Sequence, residues 1–110
     1  MTFEPFDVVT VPFPFTDSSR RKKRPALVLS SAKLAQTGHS ILAMITSAKN
    51  KPWVLDSPIK NRESAGLTAE SVVRMKLFTL DHRFILAKIG RLMEQDKKAV
   101  LHSLKESLEL

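Results

Sequence analysis

Cysteine is absent from the 110 residues. That excludes a disulfide framework, a thiolate nucleophile and every zinc site built on cysteine, and it suits a reducing, cytoplasmic setting. Glycine is scarce, with three residues in all, so no glycine-rich phosphate cradle is present, and no serine stands in the small-residue turn that a hydrolase nucleophile elbow needs. No apolar run approaches the roughly 20 residues of a membrane span. The opening MTFEPFDVV lacks the basic and then apolar pattern of a leader, so no membrane association is expected. The three histidines, His39, His82 and His102, stand at no ligand spacing from one another, and the carboxylates do not cluster. Neither a metal site nor a cofactor is expected.

Acidic residues are also few, eleven against eighteen Lys+Arg, for a net charge of +7. The imbalance is local. Between residues 18 and 62 ten cations accompany one anion, Asp56, leaving the remainder of the chain slightly acidic. Five of the cations are consecutive, Arg20, Arg21, Lys22, Lys23 and Arg24; Lys49 and Lys51 form a second cationic loop. A concentrated positive surface attracts polyanions and gains from counterion release on nucleic acid, whereas a solvated surface run would only aid solubility.

The length suits a single domain over 1–110, and a composition of 43% hydrophobic and 26% charged residues is globular. The front of the chain reads as strands. Residues 7–11 are β-branched and end at Pro12 and Pro14; residues 16–23 form a polar hairpin loop; 25–29 and 40–46 are continuous apolar runs, expected as neighbouring central strands. A short strand is expected at 53–55, irregular chain at 58–66 and a further strand at 71–77, with 80–92 ambiguous. From Lys97 onward Val100, Leu101, Leu104 and Leu108 recur at helical spacing with Asp96 as the expected N-cap, giving a terminal amphipathic helix. The fold expected is mainly β with a C-terminal α-helix, closed as a small barrel or strongly curved sheet.

Two strand ends carry the candidate chemistry. Arg24 enters the buried strand 25–29 from the cationic loop, and Thr46 and Ser47 leave the next one. If those strands pair, a guanidinium and two hydroxyls face one cleft and can bind phosphate; otherwise Arg24 is part of a solvated run and Thr46 merely ends a strand.

Five blocks, Phe6 to Val9 with Val11 to Asp17, Lys23 to Ser30, Met44 to Ser47, Ser71 to Arg74 and Leu77 to Asp81, occur in an order that resembles the MazF/PemK family of toxins of toxin–antitoxin pairs. The resemblance implies a CcdB-like, SH3-like barrel that forms a homodimer, cuts single-stranded RNA without a metal and is neutralised by a cognate antitoxin. It puts the family's motif arginine on Arg24, its Thr/Ser on Thr46 with Ser47 adjacent, and a further arginine on Arg74, which joins Arg20 to Lys23, Lys49 and Lys51 as an expected RNA contact. Two departures from the family pattern stand out. A frequent glycine is Phe6 here, and where some members carry an aspartate shortly after the Arg74 position this chain has Met75 and Lys76. No general base is identifiable; Glu70 and Asp17 are candidates by proximity in sequence alone. Trp53, Phe13 and Phe15 are candidates for stacking on bases or for the core. The reading from another class is a non-catalytic barrel that binds RNA, or binds gyrase as the CcdB branch does.

Overall fold

Valine-rich alternation in β1 (Asp7–Phe13) and the apolar end of β2 (Lys22–Val28) build the first antiparallel pair, with Val8 opposite Leu27 and Val11 opposite Arg24. The structure is a computed structural model and describes residues 3–13 and 22–110. Arg20, Arg21, Asp17, Phe15 and the hairpin loop as far as residue 21 lie outside the described residues. The chain continues through α1 (Ala32–Ala35), β3 (His39–Ser47), β4 (Ser57–Pro58), α2 (Arg62–Ala65), β5 (Ser71–Asp81), a 3-10 turn at His82–Phe84, β6 (Ala87–Arg91) and α3 (Glu94–Leu108). One antiparallel sheet in the order β4-β5-β3-β2-β1-β6 curls into an SH3-like half-barrel, and α3 packs on β4 and β5.

The curl has two local causes. Val8 pairs with Gly90 but Val9 pairs with Lys88, so Ile89 is an extra residue in β6. Ala43 pairs with Leu77 but Met44 pairs with Arg74, so Met75 and Lys76 are extra in β5. Such bulges bend a strand and increase its twist. Both faces of the sheet are covered, as the unbroken apolar runs require. Val8, Leu27, Ala43, Ile45 and Val73 point to one cluster, closed by Ile59, Leu92 and Val100; Val9, Val11, Ala26, Val28 and Leu42 point to the other with Phe3 and Leu80.

Several local expectations change. β1 does not stop before Pro12 but carries it opposite Lys23. β6 pairs with β1 only as far as Thr10, so Pro12 faces no ladder on that side and its missing donor costs nothing. Residues 53–55 form a turn instead of a strand, because Asp56 captures the Trp53 N–H with its carboxylate (2.9 Å) and donates its own N–H to Trp53 O (3.2 Å). The stretch 58–66 is not irregular. It holds α2, capped by Asn61 and ended by Gly66 at φ +73°. Gly66 and Gly90 meet face to face: a Cβ on Gly66 would strike the Ile89 carbonyl, and one on Gly90 would strike the backbone of Ala65. Two glycines therefore let α2 sit directly on β6. Phe6 itself adopts φ +74°, fixed between Val28 O and Leu92 N–H.

The terminal helix begins earlier than expected, at Glu94, and Asp96 is not its cap. Asp96 is buried in the first turn, where its two oxygens accept the backbone N–H groups of Lys60 and Asn61, each at 3.0 Å. Val100 and Ser103 complete the buried face, while Leu101 and Leu108 are exposed. The face is narrow, and α3 packs chiefly on the short β4 and on β5. Asp96→Ala should remove both acceptors at once and lower stability by about 2–3 kcal/mol in urea unfolding, with Asp96→Asn losing clearly less. An unchanged midpoint for Asp96→Ala would show that water satisfies the Lys60 and Asn61 donors.

Candidate functional site

The strands β2 and β3 pair only over three positions, Ala26 with Met44, Leu27 with Ala43 and Val28 with Leu42. Towards Arg24 they part company. β2 stays with β1, Pro25 opposite Thr10 and Arg24 opposite Val11, whereas β3 stays with β5, Thr46 opposite Val72 and Ser47 opposite Ser71. A cleft of about 260 Å³ opens between them, with Arg24 and Pro25 on one wall and Ile45, Thr46 and Ser47 on the other. Residues 66–69, Ser71 and the bulged Ile89 close it. The glycine contact of α2 with β6 thus sets its floor.

Arg24 is exposed and makes no ion pair among the described residues. Its fork of donors is available to an anion. Thr46 Oγ1 accepts from Asn50 Nδ2 at 2.6 Å and Ser47 Oγ accepts from the Lys49 N–H at 3.2 Å. A hydroxyl whose oxygen already accepts keeps its proton to give, so both side chains are set to donate into the cleft. Thr10, Thr68 and Ser71 add hydroxyls; no carboxylate lines the cleft among the described residues. Glu70 is exposed outside it, beside Ser71. Lys22 and Lys23, although adjacent to Arg24 in sequence, line a different depression with Pro12, Arg83, Phe84 and Leu86.

The second cationic loop is tied to this cleft at one end and latched at the other. Arg74 extends from β5, at the edge of the bulge, and grips Asp56 through Nε (3.1 Å) and Nη2 (2.9 Å), while Nη2 also donates to Lys51 O at 2.9 Å. Both side chains of the pair are nearly covered, 11% and 12% exposed. Trp53 lies over the guanidinium, 4.8 Å from ring centroid to carbon. Burial pushes the Asp56 carboxyl up, but the Arg74 hydrogen bond, the Trp53 N–H and the Arg74 charge outweigh it and hold the group below the ordinary aspartate value. Conversely the Asp56 hydrogen bond raises Arg74. Lys49 and Lys51 are exposed and join no ion pair among the described residues.

The histidines are apart from this site. His82 Nε2 meets Ser40 Oγ at 2.8 Å, His39 stands 3.9 Å from Asp81 and His102 faces Glu106 on α3. No cluster of three or more His, Asp or Glu side chains suited to a metal occurs among the described residues, and no helix there is long and apolar enough to cross a membrane. Sequence reasoning missed Asn50, Asp56 and Thr68. Only Asp56 had left a signal, as the one acid in the cationic stretch.

The family described as PemK-like, MazF-like toxin of type II toxin-antitoxin system matches residues 4–108. The chain belongs to this family. Solved MazF folds resemble it over nearly their whole length. MazF of Deinococcus radiodurans gives a TM-score of 0.79 at 19% identity, covering 100% of this chain and 99% of that one. The toxin MazF-mt6 of Mycobacterium tuberculosis gives 0.73 at 20%, covering 94% and 97%. An endoribonuclease in complex with its cognate antitoxin from Mycobacterial species gives 0.76 at 13%, covering 97% and 95%. These likenesses are of fold. None of the curated proteins matches the chain significantly in sequence.

In this MazF-like chain the latch has a direct optical reporter, because Trp53 is the single tryptophan. A carboxyl held below its unfolded value contributes fully at neutral pH, and the contribution is lost only as pH falls through the folded value. Acrylamide quenching of Trp53 should therefore stay flat from about pH 7 to 5 and rise below about pH 4. Asp56→Asn should raise it already at neutral pH. Equal quenching of both proteins at neutral pH would show that the Arg74 pair does not restrain the loop.

Proposed function

We propose that the chain is a metal-independent endoribonuclease acting on single-stranded RNA in the cytoplasm, as a homodimer restrained by a cognate antitoxin. The observation that carries the reading is the convergence of Arg24, Thr46 and Ser47 on one cleft in a chain of the MazF-like family. An antitoxin partner is supported by the mycobacterial neighbour, which was solved with its own.

RNA supplies its own nucleophile. The ribose 2′-oxygen attacks the adjacent phosphorus, the bond to the 5′-oxygen breaks, and the products are a 2′,3′-cyclic phosphate and a 5′-hydroxyl. One proton leaves the 2′-oxygen and one reaches the 5′-oxygen. Charge grows on the non-bridging oxygens of the phosphorane, where the Arg24 guanidinium stabilises it and the Thr46 and Ser47 hydroxyls donate. A guanidinium is a poor acid, so Arg24 acts through charge rather than by giving up its proton. No carboxylate lines the cleft among the described residues, so none of them is assigned as the base that takes the 2′ proton. Arg20 to Lys23, Lys49 and Lys51 attract the strand; Arg74 contributes by holding the Lys51 to Asp56 loop in place. The absence of a carboxylate from the cleft lining among the described residues favours the second reading, a cleft that binds RNA without cutting it, and end mapping separates the two.

Incubation with mixed-sequence single-stranded RNA in EDTA should give cyclic-phosphate and 5′-hydroxyl ends, and deoxyribose at the scissile nucleotide should abolish cleavage. Arg24→Ala should slow cleavage on the order of 100-fold, the scale of losing one preorganised donor, with a much smaller loss of affinity. Thr46→Ala should slow it about 10-fold. Full activity in a folded Arg24→Ala protein removes the assignment; binding without any cleavage installs the second reading; activity lost in EDTA and restored by a divalent ion refutes the mechanism.

A further inference from the structure

The Trp53 loop is built more firmly than a solvent-exposed turn requires. Asp56 receives three donors, Trp53 N–H, Arg74 Nε and Arg74 Nη2. Leu55 is held at φ +70°, a left-handed conformation that a branched residue rarely adopts and that persists only where the surroundings enforce it. The product of this restraint is an exposed ring. Trp53 is 47% exposed and Val54 86%, while the covered side of the indole rests on Arg74. An indole left half in water is unfavourable by itself, so the restraint displays Trp53 rather than burying it.

The surroundings say what the ring is displayed to. The loop's only acid is paired with Arg74, and Lys49 and Lys51, which precede Trp53 by four and two residues, are exposed and join no ion pair among the described residues. Its other end is fastened to the cleft through Asn50 on Thr46 and Lys49 on Ser47. An exposed aromatic face, ammonium groups on the same loop and attachment to a cleft lined by a guanidinium and hydroxyls are the parts of a single-strand stacking platform, in which a cation tracks the backbone and a ring takes a base. An apolar protein surface covering the loop would have to desolvate Lys49 and Lys51 as well.

Resting on the RNA reading above, we propose that Trp53, held by the Asp56–Arg74 pair, is the platform on which an unpaired base neighbouring the scissile phosphate stacks. Arg74 and Asp56 are positioning residues for that contact. The geometry gives the enzyme a base-bearing subsite beside a phosphate-bearing one.

The full chain is titrated with a short 2′-O-methyl RNA strand, which cannot be cleaved, and with a strand of equal length whose residues are abasic. Binding is followed by the anisotropy of a label on the strand, and stacking by Trp53 emission. The base-bearing strand should quench Trp53 strongly, and the abasic strand should bind with little quenching. Trp53→Ala should weaken the base-bearing strand about 5- to 100-fold, the scale of one base–aromatic stack, without weakening the abasic one, and Trp53→Phe should restore most of the loss. Equal quenching by both strands, or unchanged affinity in Trp53→Ala, overturns the platform and leaves the RNA reading standing. If neither strand binds the wild-type protein, both readings fall. If Trp53→Ala instead dissociates a self-associated species in sedimentation while strand binding is unchanged, the ring belongs to a contact between copies and the proposal is overturned.

Discussion

The site exists because two neighbouring strands stop pairing. β2 is committed to β1 and β3 to β5, and β2 and β3 pair at three positions, ending at Ala26 opposite Met44, before they diverge. Backbone groups freed by a parting of this kind must face water or a ligand, and the side chains at the fork are Arg24, Thr46 and Ser47. Pro25, which has no backbone donor to offer, stands where the ladder ends. The rest of the molecule keeps the fork open. Ile89 bulges out of β6 to line its floor, and α2 can press onto that strand only because Gly66 and Gly90 carry no side chains.

A second constraint is electrostatic and works at the other side of the cleft. The bulge at Met75 and Lys76 follows Arg74 and re-aims β5 there, delivering its guanidinium to Asp56 under the loop rather than into the cleft. Met75 and Lys76, the extra residues of β5, make this bend. A nearly covered Arg–Asp pair contributes little net stability when intact yet is costly to break, which is the behaviour of a latch rather than of a core contact. It fixes the geometry of a loop whose residues from Lys49 to Val54 are all exposed. Asp7 behaves similarly at the other edge: fully buried, it accepts from Arg91 at 2.6 Å, Lys88 at 3.2 Å and the Glu4 N–H at 2.9 Å, tying β1 to β6.

The sequence by itself determined the mainly β architecture with a terminal helix, the two central strands buried on both faces, and the pairing of Arg24 with Thr46 and Ser47 as candidate chemistry. These were legible because unbroken apolar runs can only be satisfied between two covered faces, and because a cation and hydroxyls at the ends of such runs have nowhere to go but the rim. Tertiary structure alone decided that Asp96 anchors residues 60 and 61 instead of capping α3, that 53–55 turns instead of extending, and that Leu101 and Leu108 stay in water. It alone brought Asp56 to Arg74, eighteen residues apart, and Asn50 to Thr46. Periodicity reports which face of an element is apolar. It carries no information on which distant donor a carboxylate will meet, since that is fixed by strand register and bulges, and a shift of one residue in either would send the same side chains to opposite faces of the sheet.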